Sequence, residues 1–283
     1  MKSKILSGIA VIIAAGWLMI SCDKVDEPFT KKLEIDSTIT KTVLLEDYTG
    51  HQCVNCPEAG ELSHNLKANF KENVVVIAVH AGWFAQPTPS GDFTADYRTE
   101  EGEEWNTTFG VSSYPNGMVN RKGFSSGTNV LSIGAWSDAI ITALHEPALL
   151  DLSINNEYNS ASRELSVTVE TEFLGNVNKN LKLVVVLTES GIVSPQKNNN
   201  AEIGATPVIL NYVHDHMLRD CINGTWGTEI ASAGTANEDL ISKSFTYVIP
   251  ANFVAENCDV VAFVYDTDTK EVIEAAEGKV SGE

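Results

Sequence analysis

The sequence predicts an α/β domain followed by an all-β domain, and three observations carry that prediction. A strand-like run, a Cys-x-x-Cys pair and a helical pattern follow one another between residues 42 and 70. A second run, Asn73 to His80, is too apolar for an exposed strand and reads as a central one covered on both faces. Beyond Pro147 the pattern turns to alternating strands separated by turn residues. The 283 residues are 43% hydrophobic, enough for a sizeable core and for two domains. Nineteen Lys and Arg against 38 Asp and Glu give a formal charge of −19. This excludes a nucleic-acid binder, which needs basic residues in excess, and electrostatic docking on anionic lipid.

The first residues assign the compartment. Lys2 and Lys4 precede an apolar stretch, Ile5 to Ile20, too short to span a bilayer comfortably. Ser21 and Cys22 follow, so residues 1–21 read as a signal peptide. Leu18-Met19-Ile20-Ser21-Cys22 resembles a bacterial lipobox, in which cleavage leaves Cys22 as the first mature residue with lipid (palmitate among the acyl chains) on its sulfur and amine. Several acyl chains anchor durably where one does not. Cleavage removes two lysines and moves the charge from −19 to −21. Residues 22–40 are acidic and unpatterned, a flexible tether.

Within the first domain, 41–146, Thr42 to Tyr48 reads as a strand ending at Thr49-Gly50. Pro57 suits a first helical turn, and Leu62, Leu66 and Phe70 share one helical face. Gly82 to Asp92 is a loop in which Trp83 and Phe84 wall a cleft or join the core. Tyr97 to Phe109 reads as a helix, Gly117 to Asn120 as a short strand, and Ser132 to His145 as a final helix. His64 lies on the Cys56 helix as a solvated side chain.

The second domain, 147–283, holds strand patterns at 149–157, 164–172, 181–189, 242–249, 259–267 and 271–276. Leu165, Val167 and Val169 alternate, as do Leu181, Leu183 and Val185. Consecutive antiparallel strands of this kind predict an immunoglobulin-like sandwich. Residues 191–240 form a long insert without such rhythm. Within it His214 and His216 would share one face of a strand; the commoner reading of such a pair is a hydrogen-bonded surface, and no metal is expected. Gly224 to Gly227 reads as a packed turn around Trp226.

With Cys22 assigned to lipid, Cys53, Cys56, Cys221 and Cys258 remain, in a protein exported to an oxidising compartment. The natural grouping is Cys53 with Cys56 and Cys221 with Cys258. The second bridge would close a loop of roughly 38 residues and contribute ~3–4 kcal/mol in the chain-entropy picture. At the first pair, a helix N-terminus would favour a thiolate at Cys53, the exposed nucleophile, with Cys56 resolving the mixed disulfide. A structural bridge is the plainer alternative. A zinc site would need two more ligands, and His51 and His80, the nearest candidates, stand at no standard spacing. No Ser-His-Asp spacing, phosphate loop or dinucleotide turn is present, and no cofactor is expected.

From Lys41 to Glu146 the chain resembles the thioredoxin superfamily. Asp47 stands six residues before Cys53, where that superfamily carries a buried acid, and Tyr114-Pro115 matches its X-Pro element against the dithiol. The resemblance implies that Asp47 assists proton transfer to the resolving thiol and that Pro115 shapes a peptide groove. Gln52 stands where Trp is usual, Val54-Asn55 where Gly-Pro is usual, and Glu46 competes with Asp47 for the inward position, because adjacent strand residues face opposite ways. Over nearly its whole length the chain also resembles outer-membrane lipoproteins named for a twenty-eight-kilodalton outer-membrane protein. The lipobox, Thr49-Gly50 before the two cysteines, Asn120-Arg121, and Tyr212-x-His214-x-His216-x-Leu218-Arg219 carry that resemblance.

The expectation is a lipid-anchored envelope protein, periplasmic or surface-facing at the outer membrane, that exchanges protein thiols and disulfides, its β-domain meeting an envelope or extracellular protein. The alternative is a non-catalytic binding or adhesion lipoprotein on the same scaffold.

Overall fold

The computed structural model describes residues 41–124, 127–233 and 240–281. The signal segment, the tether and Cys22 lie outside these residues. No helix among them is long and apolar enough to cross a membrane.

The chain opens with β1 (Val43–Thr49), α1 (Cys56–Phe70) and β2 (Val74–His80), and continues through α2 (Glu100–Thr108), β3 (Asn116–Val119), β4 (Leu131–Ser132) and α3 (Trp136–Leu144). Then come β5 (Leu150–Asn159), β6 (Glu164–Phe173), β7 (Leu181–Glu189), β8 (Ile192–Lys197), β9 (Val208–His214), β10 (Met217–Cys221) and β11 (Thr228–Ala231). The last strands are β12 (Leu240–Val248), β13 (Cys258–Asp266) and β14 (Val272–Lys279). Several follow the period of their own element: α1 buries Ala59, Ser63, Leu66 and Phe70, while β6 buries every second residue from Leu165 to Phe173.

The halves expected as separate domains share one sheet. Its order is β14-β13-β7-β10-β2-β1-β3-β4, with β11 pairing with the start of β7 on the same edge that β10 takes further along. The joint lies inside the insert: β10 pairs antiparallel with β7 and parallel with β2, where Met217 meets Ala78 and the Ala78 N–H donates to His216 O at 2.8 Å. A division at 146/147 is therefore not a break in packing, and residues from 41 onward form one compact unit.

Strand alternation sorts the core into layers. One face of the sheet runs unbroken from Leu44, Tyr48 and Ile77 to Val184, Val186 and Phe263, and is covered by Trp105 of α2 and Val111. The opposite face is covered at one end by α1 and α3, against Val43, Leu45, Val74 and Val76. At its other end it meets the three-stranded sheet β12-β6-β5, through Leu165, Val167, Leu183, Val185, Val260 and Ala262. The second half is thus two β layers in contact, but the larger layer belongs equally to the first half. Strands β8 and β9 form a hairpin that pairs only with itself.

Cys221 and Cys258 are not bridged; both are free and buried. Cys221 pairs with Val186 and Cys258 with Glu189, on opposite edges of β7. Two strand spacings, about 9–10 Å, separate their strands before the three-residue offset is counted, beyond the span of a disulfide. The offset is odd, so the side chains enter different core layers. Burial pushes the Cys258 thiol up to about 12 and that of Cys221 higher than usual as well, so both are unreactive.

Glu46 is paired with Arg121. The guanidinium donates to Glu46 Oε1 at 2.7 Å and Oε2 at 2.8 Å, and both side chains are fully buried. The rings of Trp105, Phe109 and Phe263 stand 4.8–4.9 Å from the Arg121 carbon, with Trp226 and Tyr265 at 6.0 Å. Arg121 and Asn120 both have left-handed backbones, φ 52° and 49°. This unfavoured pair is held by β1: Leu44 N–H donates to Asn120 Oδ1, and Asn120 N–H to Leu44 O, each at 2.8 Å. Removing one partner strands the other charge in the core. Arg121→Leu is expected to cost about 3–5 kcal/mol in urea unfolding, and Glu46→Leu with Arg121→Met to recover most of it. Equal losses in the single and double variants would contradict this account of the pair.

Candidate functional site

The site forms at the C-terminal end of β1. Thr49 ends the strand, and Gly50 to Asn55 turn into α1, whose first residue is Cys56. Pro57 occupies the first turn, where its missing N–H costs nothing. Cys53 and Cys56 are joined by a disulfide. Gly50 is needed because the chain passes against the next loop: a Cβ there would meet the Phe84 carbonyl carbon at 2.4 Å. Gln52 ties the same two loops, its N–H donating to Phe84 O at 3.0 Å and its side chain to Gln86 O at 2.7 Å.

Asp47 lies on the α1 face of the sheet, the face opposite Glu46. Alternation separates the two acids expected near the cysteines: Glu46 is consumed in the ion pair with Arg121, and Asp47 alone lines the cavity beside Cys56. Asp47 is fully buried, its Oδ1 has no hydrogen-bond partner among the described residues, and desolvation pushes its carboxyl up to about 7. It shares a cavity of about 350 Å³ with Cys56. His80, Gln196, Tyr212, His214 and His216 also line it. Burial holds His80 well below its ordinary value and His214 and His216 at about 4, so these imidazoles are neutral near pH 7. His80 and His214 pack edge to face at 5.4 Å, with Tyr97 at 5.6–5.7 Å from both. His51 stacks on Phe93 at 5.5 Å. Ring nitrogens of His51, His80, His214 and His216 lack partners among the described residues.

His214 and His216 do not share a strand face. β9 ends at His214, and His216 sits in the bend before β10 with φ 55°. No group of three or more His, Cys, Asp or Glu among the described residues is arranged to hold a metal ion.

Pro115 follows a cis Tyr114-Pro115 bond. The pairing of Tyr48 with Asn116 puts it level with Thr49, beside the start of the dithiol loop. Trp83 is 75% exposed and Phe84 half-exposed, so neither is ordinary core.

Cys53 departs from expectation: it is 2% exposed and Cys56 3%. Part of the cover comes from the β8–β9 hairpin, for which the sequence gives no signal. Gln196 Nε2 donates to Cys53 O at 2.8 Å and Gly50 O at 3.3 Å. Lys197 N–H donates to His51 O at 2.9 Å and Asn199 N–H to Val54 O at 3.1 Å. Of the lining residues, Tyr212, His214 and His216 were marked by their density of polar and aromatic groups; Gln196 and Asn199 were not.

The family model for outer membrane protein Omp28 matches residues 103–282. Among solved structures, a domain of the outer membrane lipoprotein Omp28 from Porphyromonas gingivalis is 28% identical, with TM-score 0.33, covering 48% of this chain and 91% of that one. A protein from Agrobacterium tumefaciens is 12% identical, with TM-score 0.48, covering 85% of this chain and 95% of that one. No curated protein matches the chain. The family match begins beyond both cysteines of the disulfide and takes in every strand from β3 to β14, the hairpin among them. Spanning well over half of the sequence, it places the chain in the outer membrane protein Omp28 family, a family of the cell envelope.

Proposed function

We propose that this protein is a lipid-anchored thiol–disulfide exchange protein of the cell envelope, tethered through Cys22, whose residues 41–146 are a thioredoxin-like unit embedded in a larger sheet. The observation that carries the reading is the juxtaposition at α1: a Cys-x-x-Cys disulfide whose second cysteine lines a cavity with a buried, unpartnered acid. A purely structural bridge has no use for that acid, whereas exchange chemistry does.

In the reducing direction, the Cys53 thiolate attacks one sulfur of a protein disulfide. That S–S bond breaks, and the departing sulfur takes a proton. The Cys56 thiol gives its proton to the Asp47 carboxylate and displaces the captured sulfur from Cys53. The products are the Cys53–Cys56 disulfide and two substrate thiols, with two electrons passed to the substrate. A carboxyl near pKa 7 both accepts and returns that proton at neutral pH, so the oxidising direction runs by the same steps reversed. Net direction follows the partner's potential. The depth of Cys53 favours one other reading, a binding lipoprotein that keeps the scaffold without turnover.

Trapping separates the two. Cys56→Ser leaves the mixed disulfide unresolved, so it is expected to accumulate Cys53-linked envelope proteins that reductant releases on a denaturing gel. Insulin reduction is expected to fall to background in Cys53→Ser. Empty traps together with unchanged insulin reduction would end the exchange reading.

Asp47 also sets a pH signature. Its carboxyl rises from an ordinary 3.8 to about 7, so between those values the unfolded chain has ionised while the folded one keeps its proton. Stability therefore declines as pH rises through that window and levels off above it. His80 from β2, Tyr212, His214 and His216 from the hairpin side, and Cys56 from α1 face this group, and the imidazoles are already neutral above pH 5. Relative to the parent, Asp47→Asn is expected to gain about 2 kcal/mol between pH 5 and pH 8, whatever fixed cost the amide brings. Thermal unfolding of the oxidised proteins at both pH values checks it; parallel curves would refute a buried, elevated carboxyl.

A further inference from the structure

We propose that the β8–β9 hairpin is a hinged strap over the Cys53–Cys56 disulfide, and that the disulfide reacts only when the strap lifts. This regulation rests on the exchange reading of the same site.

Three observations build it. First, the hairpin is attached to the main sheet only at its base by strand connectivity. β7 ends at Glu189 and β10 begins at Met217, and these two residues face each other across the sheet. Residues 192–214 leave and return through this one gap, pairing among themselves from Ile192↔His214 to Lys197↔Val208. The gap is flanked by Gly191, φ 73°, and His216, φ 55°. It is closed by Gly191 N–H to Asp215 Oδ1 at 2.8 Å and His216 N–H to Ser190 Oγ at 3.0 Å. A pair of adjacent element-terminal positions with left-handed backbones is where a rigid arm can swing.

Second, the far end of the arm grips the dithiol loop. Besides the bonds from Gln196 and the two backbone N–H groups, Lys197 Nζ donates to Gln52 Oε1 at 3.1 Å and Asn199 Nδ2 to Asn55 Oδ1 at 2.7 Å. Every residue from Gly50 to Asn55 thus lends the strap an acceptor. These contacts use loop carbonyls and side chains rather than apolar side chains, and Val193, Leu210 and Val213 on the arm are exposed. The Gln196 bonds are buried, but hydrogen bonds, unlike a sealed apolar core, can be remade with water when a cover opens.

Third, α1 leaves room for the closed arm. Gly60 stands under Tyr212, and a Cβ there would lie 2.5 Å from the Tyr212 hydroxyl. Glycine in a helix interior costs about 0.5–1 kcal/mol relative to alanine, and here it lets the hairpin lie flat.

The test is reduction of the disulfide by dithiothreitol on the full chain. The reductant's two thiols become its cyclic disulfide while the Cys53–Cys56 bond opens to two thiols, so no natural substrate is involved. In the parent, the rate is expected to plateau at high reductant, limited by strap opening. Gln196→Ala with Asn199→Ala removes the three side-chain hydrogen bonds to the loop and is expected to raise that plateau roughly ten- to thirtyfold, at a net ~1 kcal/mol or less for each bond. Equal rates in parent and variant would overturn the strap. Should the variant unfold, hydrogen exchange on the parent decides: the Lys197 and Asn199 amides are expected to open at the plateau rate, whereas amides that open more slowly than the disulfide is reduced would overturn the proposal. Failure of the exchange function would show differently, as gated reduction by dithiothreitol with no trapped protein and no insulin turnover.

Discussion

The buried Glu46–Arg121 pair is the constraint on which the site depends. By itself such a pair is poor evidence of stability, because two charges removed from water recover little more than their desolvation cost. Its consequence is directional. Once Glu46 is committed to the aromatic box formed by α2, β13 and the Trp226 turn, strand alternation leaves Asp47 facing α1 and no other way. A one-residue slip of β1 would put Glu46 under Cys56 and Asp47, a side chain one methylene shorter, toward a guanidinium set for Glu46. The ion pair therefore fixes register. Its ring partners come from both halves of the chain, so the same pair explains why the halves share a sheet instead of meeting as separate domains.

How much of this was legible varied with the origin of each signal. Elements whose burial follows their own period were readable: Leu62, Leu66 and Phe70 announce α1, and the alternation from Leu181 to Val185 announces β7. β10 was not. Its five residues, Met217 to Cys221, hold one apolar pair and two charges, and they become a central strand only because β2 and β7 already stand on either side. The pairing of Cys221 with Cys258 failed for the same reason, since counting cysteines is blind to a strand lying between them. The choice between Asp47 and Glu46 could be posed from sequence but not decided, because the partner of Glu46 lies 75 residues away at Arg121. On the arm only Tyr212 and His214 stood out, by polar and aromatic density; Gln196 and Asn199 act through hydrogen bonds, which leave no hydrophobic pattern.

The cavity beneath Cys56 gathers groups that a core ordinarily excludes. An unpartnered buried polar atom costs about 1–3 kcal/mol, and Asp47, His80, His214 and His216 each present one. The apolar layers on either side show that this fold can fill space with valine and leucine when only packing is required. A polar cluster left unsatisfied beside a disulfide is the kind of local inconsistency that marks a working site.

Electrostatics then limits what the cluster can do. With its imidazoles neutral, the cavity's buried charge near pH 7 is that of Asp47 and, once the disulfide is opened, of Cys56. Two anions sharing a desolvated cavity would repel, so a Cys56 thiolate beside an ionised Asp47 is disfavoured. In the proposed exchange, the acid that destabilises the fold above its ordinary pKa would be relieved when the thiol surrenders its proton, at the resolution of a mixed disulfide. The strap follows from the same physics. Contact with bulk water would lower the Asp47 pKa, so in the proposed strap the cover over the disulfide would also keep the carboxyl near neutrality.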